Sequence, residues 1–182
     1  YTIDQGLAEK YGYIVDHNEY RLGNPGKDFE GFFDLDGDGT PDPVSISAEE
    51  LGYPEPIRNY YAVELTFKRR FSNNWMFEGS YTWSHLYGNY EGMVYSDVGQ
   101  DDAGITQLFD FAGLMDNTYG NLPQDRRHNL KIFGAYTFDF GLQLGANATY
   151  RTGRPINALG VHPTDPYSQD YGVSTYYQQG VP

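Results

Sequence analysis

An all-β fold, a segment of an antiparallel transmembrane β-barrel with long extracellular loops, is predicted by three features of the sequence. Side chains alternate in character with a period of two, the mark of a strand, over runs far longer than soluble strands usually reach. Aromatic rings gather at the ends of those runs, where membrane-spanning strands carry their interfacial girdles. The connections are unequal: short polar turns close two hairpins, and one very long link joins them.

Residues 1–57 are expected to form an acidic extracellular loop region. Thirteen carboxylates stand there against Lys10, Arg21 and Lys27, most of the net charge of −13 carried by the 182 residues. Such a surface argues against nucleic acid as a partner and favours a hard cation. Tyr11, Tyr13 and Val15 suggest a short strand. The sharpest local motif is Asp34-Leu35-Asp36-Gly37-Asp38-Gly39-Thr40-Pro41-Asp42. It resembles the calcium loop of an EF-hand or thrombospondin repeat. Asp34, Asp36 and Asp38 can converge on one Ca2+ ion, Gly39 permits the turn, Thr40 offers a carbonyl, and Asp42 takes the often water-mediated place. Ser45 stands where the bidentate glutamate would be, and flanking helices are lacking. The expectation is a structural calcium loop over residues 34–45, as opposed to a merely solvated Asp/Gly turn. Ser47 followed by Glu50 reads as a capping box for one helical turn, which Gly52 and Pro54 stop.

Residues 58–154 should hold four barrel strands. Tyr61, Val63, Leu65 and Phe67 take one face, and Ala62, Glu64, Thr66 and Lys68 the other. After Ser72-Asn73-Asn74, Trp75, Phe77, Gly79, Tyr81 and Trp83 alternate against Met76, Glu78, Ser80, Thr82 and Ser84. Each arm exceeds the ~9–11 residues a tilted strand needs to cross a bilayer. Residues 88–123 lose the alternation and are punctuated by glycine and aspartate. Such a link is rare in a compact soluble domain and natural as an extracellular loop. Within it, residues 105–115 suggest a short helix over a barrel mouth. In the second hairpin, Leu130 to Phe140 and Leu142 to Tyr150 repeat the design around a Phe140-Gly141 turn. Residues 155–182, rich in Pro, Tyr and Gly, are expected as a further extracellular loop.

With no cysteine, disulfides and thiolate metal sites are excluded. A run of ~18 apolar residues is lacking, so a transmembrane helix is not expected, and Tyr1-Thr2-Ile3-Asp4 does not read as a signal peptide. His17, His85, His128 and His162 lack metal-ligand spacing, and no nucleophile elbow or phosphate-binding glycine loop occurs, so an enzyme is not expected.

The run Asn121-Leu122-Pro123-Gln124-Asp125-Arg126-Arg127-His128 before a strand resembles an element of TonB-dependent outer-membrane receptors. Tyr150-Arg151-Thr152-Gly153-Arg154-Pro155 is similar to the strand end that follows there, and Tyr81-Thr82-Trp83-Ser84 to the preceding strand. The Asp-rich loop and Leu86-Tyr87-Gly88-Asn89-Tyr90-Glu91-Gly92 look most like the Oar-like branch. The resemblance implies a barrel of about twenty-two strands, plugged by an N-terminal domain and driven by the TonB complex. Four or five strands cannot close a barrel. The chain is therefore expected to be part of a larger one in the bacterial outer membrane. Its partners would be membrane lipid, the remaining barrel, a plug domain, and the TonB complex through an N-terminal part outside this sequence. Transport, by import or secretion, is the expected role, with Arg126, Arg127, Arg151 and Arg154 structural and pairing with loop acids near the rim. The competing expectation is a soluble, calcium-stabilised β-rich surface adhesion module.

Overall fold

The computed structural model describes residues 2–3, 19–20, 23–33, 38–102 and 106–181. The strands of the first hairpin organise it. β5 (Arg58–Ser72) runs antiparallel to β6 (Trp75–Gly88), with Val63 opposite Trp83 and Leu65 opposite Tyr81. The turn between them places Asn73 and Asn74 at φ 52° and 69°. Two positive-φ residues match the right-handed strand twist, and asparagine tolerates that geometry.

β6 also pairs with β8 (His128–Thr137), which pairs with β9 (Gln143–Arg151), giving the order β5-β6-β8-β9. A short strand, β7 (Gly120–Asn121), extends the pairing of β6 at Tyr87 and Gly88. The second hairpin is shorter than the alternation suggested. Its strands stop at Thr137 and resume at Gln143, so Phe138, Phe140 and Leu142 belong to the turn. Phe138 donates to the carbonyl of Leu142 at 2.7 Å, and Gly141 adopts φ 92°, a value that side-chain-bearing residues avoid. The two turns are tied together: the Asn74 amide donates to Asp139 at 2.8 Å, and Thr137 N–H to the Asn74 carbonyl.

The register assembles the apolar halves of all four strands on one face. Successive rows run Trp75–Tyr136–Leu144, Phe77–Gly134–Ala146, Gly79–Ile132–Ala148 and Tyr81–Leu130–Tyr150. Glu64, Lys68, Glu78, Lys131 and Arg151 lie on the opposite face, where Lys68 and Glu78 form a 2.9 Å ion pair. Among the described residues no second layer covers the apolar face. Val63 and Leu144 are 57% and 56% exposed. Rings bound the face at both ends. Tyr61, His85, Tyr87 and Tyr119 interlock at one, and Tyr136, Phe138 and Phe140 at the other, the turn end. From Trp75 to Tyr87 the strand covers roughly 40 Å at ~3.4 Å per residue, or roughly 28 Å along the normal at ~45° tilt. That matches the height of a bilayer's hydrocarbon band.

Beyond the sheet's far end, the described residues among 29–53, the link between the hairpins and the strand Thr175–Val181 pack together. β3 (Phe29–Phe33) and β4 (Asp42–Ile46) form a hairpin with Phe33 opposite Asp42. β10 (Ile156–Gly160) and β11 (Thr175–Val181) form another, with the short helix α1 (Pro166–Gln169) between them. This hairpin lies in the stretch expected as plain loop. β1 (Thr2–Ile3) pairs with β2 (Glu19–Tyr20); the strand expected at Tyr11–Val15 lies outside the described residues. The capping box forms as read: the Glu50 amide N–H reaches the Ser47 hydroxyl at 3.2 Å, and Ser47 N–H the Glu50 carboxylate at 3.1 Å. One turn follows, closed by Gly52 at φ 79°.

The β3–β4 hairpin, the turn after it, the link between the long hairpins and β11 share a core of Phe29, Val44, Ile46, Leu51, Tyr53, Tyr95, Leu108, Phe109, Met115 and Tyr176. The link between the hairpins is therefore not structureless. It supplies Tyr95, Leu108, Phe109 and Met115 to a cap, and its turn at Ala112–Met115 is a 3-10 turn where a short helix was expected. Glycine spacing breaks any strand period here, so burial is built by contacts between distant residues.

Candidate functional site

Where the cap meets the sheet, the charged run before β8 closes a clasp. Asp125 is buried: its Oδ1 accepts the Leu86 N–H at 2.8 Å, and its Oδ2 pairs with Arg127 Nη2 at 3.0 Å. The Arg127 carbonyl accepts the Ser84 N–H at 3.0 Å, carrying the pairing of β6 past the start of β8. Arg126 donates to the Thr152 carbonyl at 2.9 Å, linking the clasp to the end of β9. Arg154 donates through Nε to the Pro123 carbonyl at 2.9 Å and sits 3.6 Å from Asp97. Thus Arg127 and Arg154 do pair with acids, Arg126 takes a carbonyl, and Arg151 lies on β9 opposite Asn129. A small cleft of about 450 Å³ opens here, lined by Asn121, Asp125, Arg127, Thr152 and Arg154.

The cap buries further acids. Glu91 accepts the Ser96 N–H at 2.8 Å and the Gln124 amide at 2.8 Å. Asp97 accepts from the Tyr176 hydroxyl at 2.8 Å and from the Asn157 amide. Asp110 accepts from the Tyr171 hydroxyl at 2.7 Å. Burial raises the Asp110 carboxyl above its ordinary range, and the Tyr171 hydrogen bond partly offsets this. Burial likewise raises the phenols of Tyr95 and Tyr176, whose rings lie 5.5 Å apart. Tyr95 donates to the Ser174 carbonyl at 2.7 Å. Buried His162 accepts the Asp165 N–H at Nδ1 (2.7 Å), which leaves Nε2 to donate to Asp116 at 3.1 Å. Each of these groups holds one loop to another.

Of the expected calcium ligands, Asp34 and Asp36 lie outside the described residues. Asp38 accepts the Thr40 N–H at 2.6 Å, a local turn, and Asp42 begins β4. Among the described residues, no three His, Asp or Glu side chains converge as a metal site. Sequence reading named the Asp125–His128 run and missed Glu91, Asp97, Asp110 and His162 as anchors. Their partners are as far as 79 residues away, and nothing local marks them.

A family profile described as an outer membrane beta barrel domain matches residues 43–176, which take in both hairpins and the clasp. The chain is also 39% identical, over 151 residues, to the TonB-dependent transporter Oar of Myxococcus xanthus. That match covers 81% of this chain but only 12% of the Oar sequence, so the chain spans a small part of that relative's length. No solved structure matches. The chain belongs to the outer membrane beta-barrel domain family, and its place is the outer membrane.

Proposed function

We propose that the chain is a wall segment of a TonB-dependent outer-membrane transporter, with its cap forming substrate-facing extracellular loops. The observation that carries this reading is the uncovered apolar face, as tall as a bilayer's hydrocarbon band and ringed with aromatics at both ends. Among the described residues nothing pairs with the outer edges of β5 and β9, which further strands of a longer barrel would pair in lipid. By the likeness to Oar, a plug domain and the TonB complex would act through parts outside this sequence. The polar face would then line the lumen.

Membrane sidedness tests this directly. The chain has no cysteine, so single thiols report without background from this segment. Val173 in the cap is 60% exposed, and Phe140 in the turn at the opposite end is 77% exposed. On intact cells expressing the full-length protein, an impermeant maleimide is expected to label Val173→Cys. Phe140→Cys should label only after the outer membrane is opened. Equal labelling of both on intact cells sinks the proposal.

We also propose that residues 34–45 bind calcium as a staple for the cap. The support is the Asp34, Asp36, Asp38, Thr40, Asp42 spacing, in the stretch of sequence that follows β3 and runs into β4. Calorimetry should find a dissociation constant of roughly 10⁻⁴–10⁻³ M, as in extracellular modules. Asp36→Ala should abolish the heat, and magnesium should not reproduce it. A signal unchanged by Asp36→Ala removes the site.

A further inference from the structure

One cation breaks the apolar face. Arg69 lies opposite Phe77 in the register, which puts it on the side with Leu65 and Phe67. It is the only Lys, Arg, Asp or Glu on that face of the four strands. Its guanidinium stacks 4.0 Å over the Trp75 ring, and Nη2 donates to the Ser72 carbonyl at 3.3 Å. Its Nε is buried and has no hydrogen-bond partner among the described residues. No carboxylate pairs with it among them. By contrast, Lys68, one residue away, points to the other face and is paired with Glu78.

Beside Arg69, the same Trp75 forms one wall of an open groove of about 840 Å³. Gly134, Ala146 and Ala148 make its floor, and Phe77 and Leu144 rise beside it. Small side chains in adjacent register rows leave the trough, while large ones bound it. It runs along the face from the turn end toward the middle of the band. A greasy trough beginning next to an underused guanidinium has the layout of an amphiphile: a chain below, an anion at the interface. Arginine suits phosphate, because its planar fork donates two parallel bonds. The turn end is the periplasmic side in barrels of this kind.

We propose that this groove and Arg69 form a binding site for a phospholipid of the periplasmic leaflet, the phosphate on Arg69 and one acyl chain along Gly134, Ala146 and Ala148. The site rests on the reading of the sheet as membrane wall. It differs from general lipid contact in selecting one headgroup charge at one place.

The full-length protein in detergent, titrated with phosphatidylglycerol and followed by native mass spectrometry, tests it. Diacylglycerol with the same chains serves as the uncharged control, and glycerol 3-phosphate as the headgroup alone. The wild type should retain one phosphatidylglycerol roughly tenfold more tightly than diacylglycerol, the scale of a charge-assisted contact. Arg69→Gln should erase that preference, and Arg69→Lys should restore part of it. Ala146→Leu, which fills the floor without adding polarity, should weaken both lipids. Equal retention of the two lipids by the wild type overturns the site, and so does an unchanged preference in Arg69→Gln. Displacement by glycerol 3-phosphate alone overturns the lipid as the source of phosphate. A protein that is folded and monodisperse without detergent instead overturns the membrane-wall reading beneath it.

Discussion

Asp125→Ala is expected to loosen the cap from the sheet, at a cost of about 3 kcal/mol of folding stability. The carboxylate has two tasks that no neighbour can take over. Its Oδ1 satisfies the buried Leu86 N–H, and its Oδ2 neutralises Arg127. Deletion leaves a buried donor unpaired, worth about 1–3 kcal/mol, and a cation with only the 3.5 Å contact to Asn121. The total stays below the upper end for broken buried pairs because 34% of the Arg127 side chain is exposed to water. Asp125→Asn keeps an acceptor for Leu86 and loses only the charge, so it should cost about 1 kcal/mol. Denaturant unfolding of the full-length protein measures both. Hydrogen exchange should show the Leu86 amide, and those of residues 121–127, opening first in the alanine variant. Equal losses for alanine and asparagine would show that charge neutralisation, not the Leu86 bond, sets the cost.

The wall was legible in the sequence and the cap was not, for a reason that lies in how each is built. Strand pairing transmits a period of two from one strand to the next, so Val63, Trp83, His128 and their neighbours reach one face from local alternation alone. The same logic overran at Phe138 and Phe140, which keep the period but sit in a five-residue turn. The cap has no period to read. Tyr95 and Ser174, or Asp97 and Tyr176, meet across 79 positions. The β10–β11 hairpin is irregular in register and interrupted by a helix, so its alternation is short and broken. The Asp125–His128 run stood out by its residue types. Its role as a clasp is set by Leu86, Ser84 and Thr152, partners 26 to 42 residues away that its own sequence does not mark.

Leu65→Lys and Thr66→Lys, one residue apart, should have very different consequences. Both positions lie near the middle of β5, and both are exposed when the sheet is considered alone. Leu65 faces the apolar side, opposite Tyr81, and Thr66 the polar side, opposite Ser80. If water bathes both faces, each substitution is a surface change, worth within about 0.5 kcal/mol. If hydrocarbon bathes one face, lysine at Leu65 sits close to the bilayer midplane and costs about 2–4 kcal/mol, whereas lysine at Thr66 stays cheap. Unfolding of the full-length protein from lipid vesicles reads the difference. A gap of about 2 kcal/mol or more identifies the solvent of the Val63–Leu65–Phe67 face as lipid. Matching small effects would mean that water wets that face and that its rings and aliphatic side chains are uncovered for some other reason. Because the two sites share one strand, one neighbourhood and one incoming side chain, strand propensity and added charge cancel in the comparison. What remains is the medium on each side of the sheet.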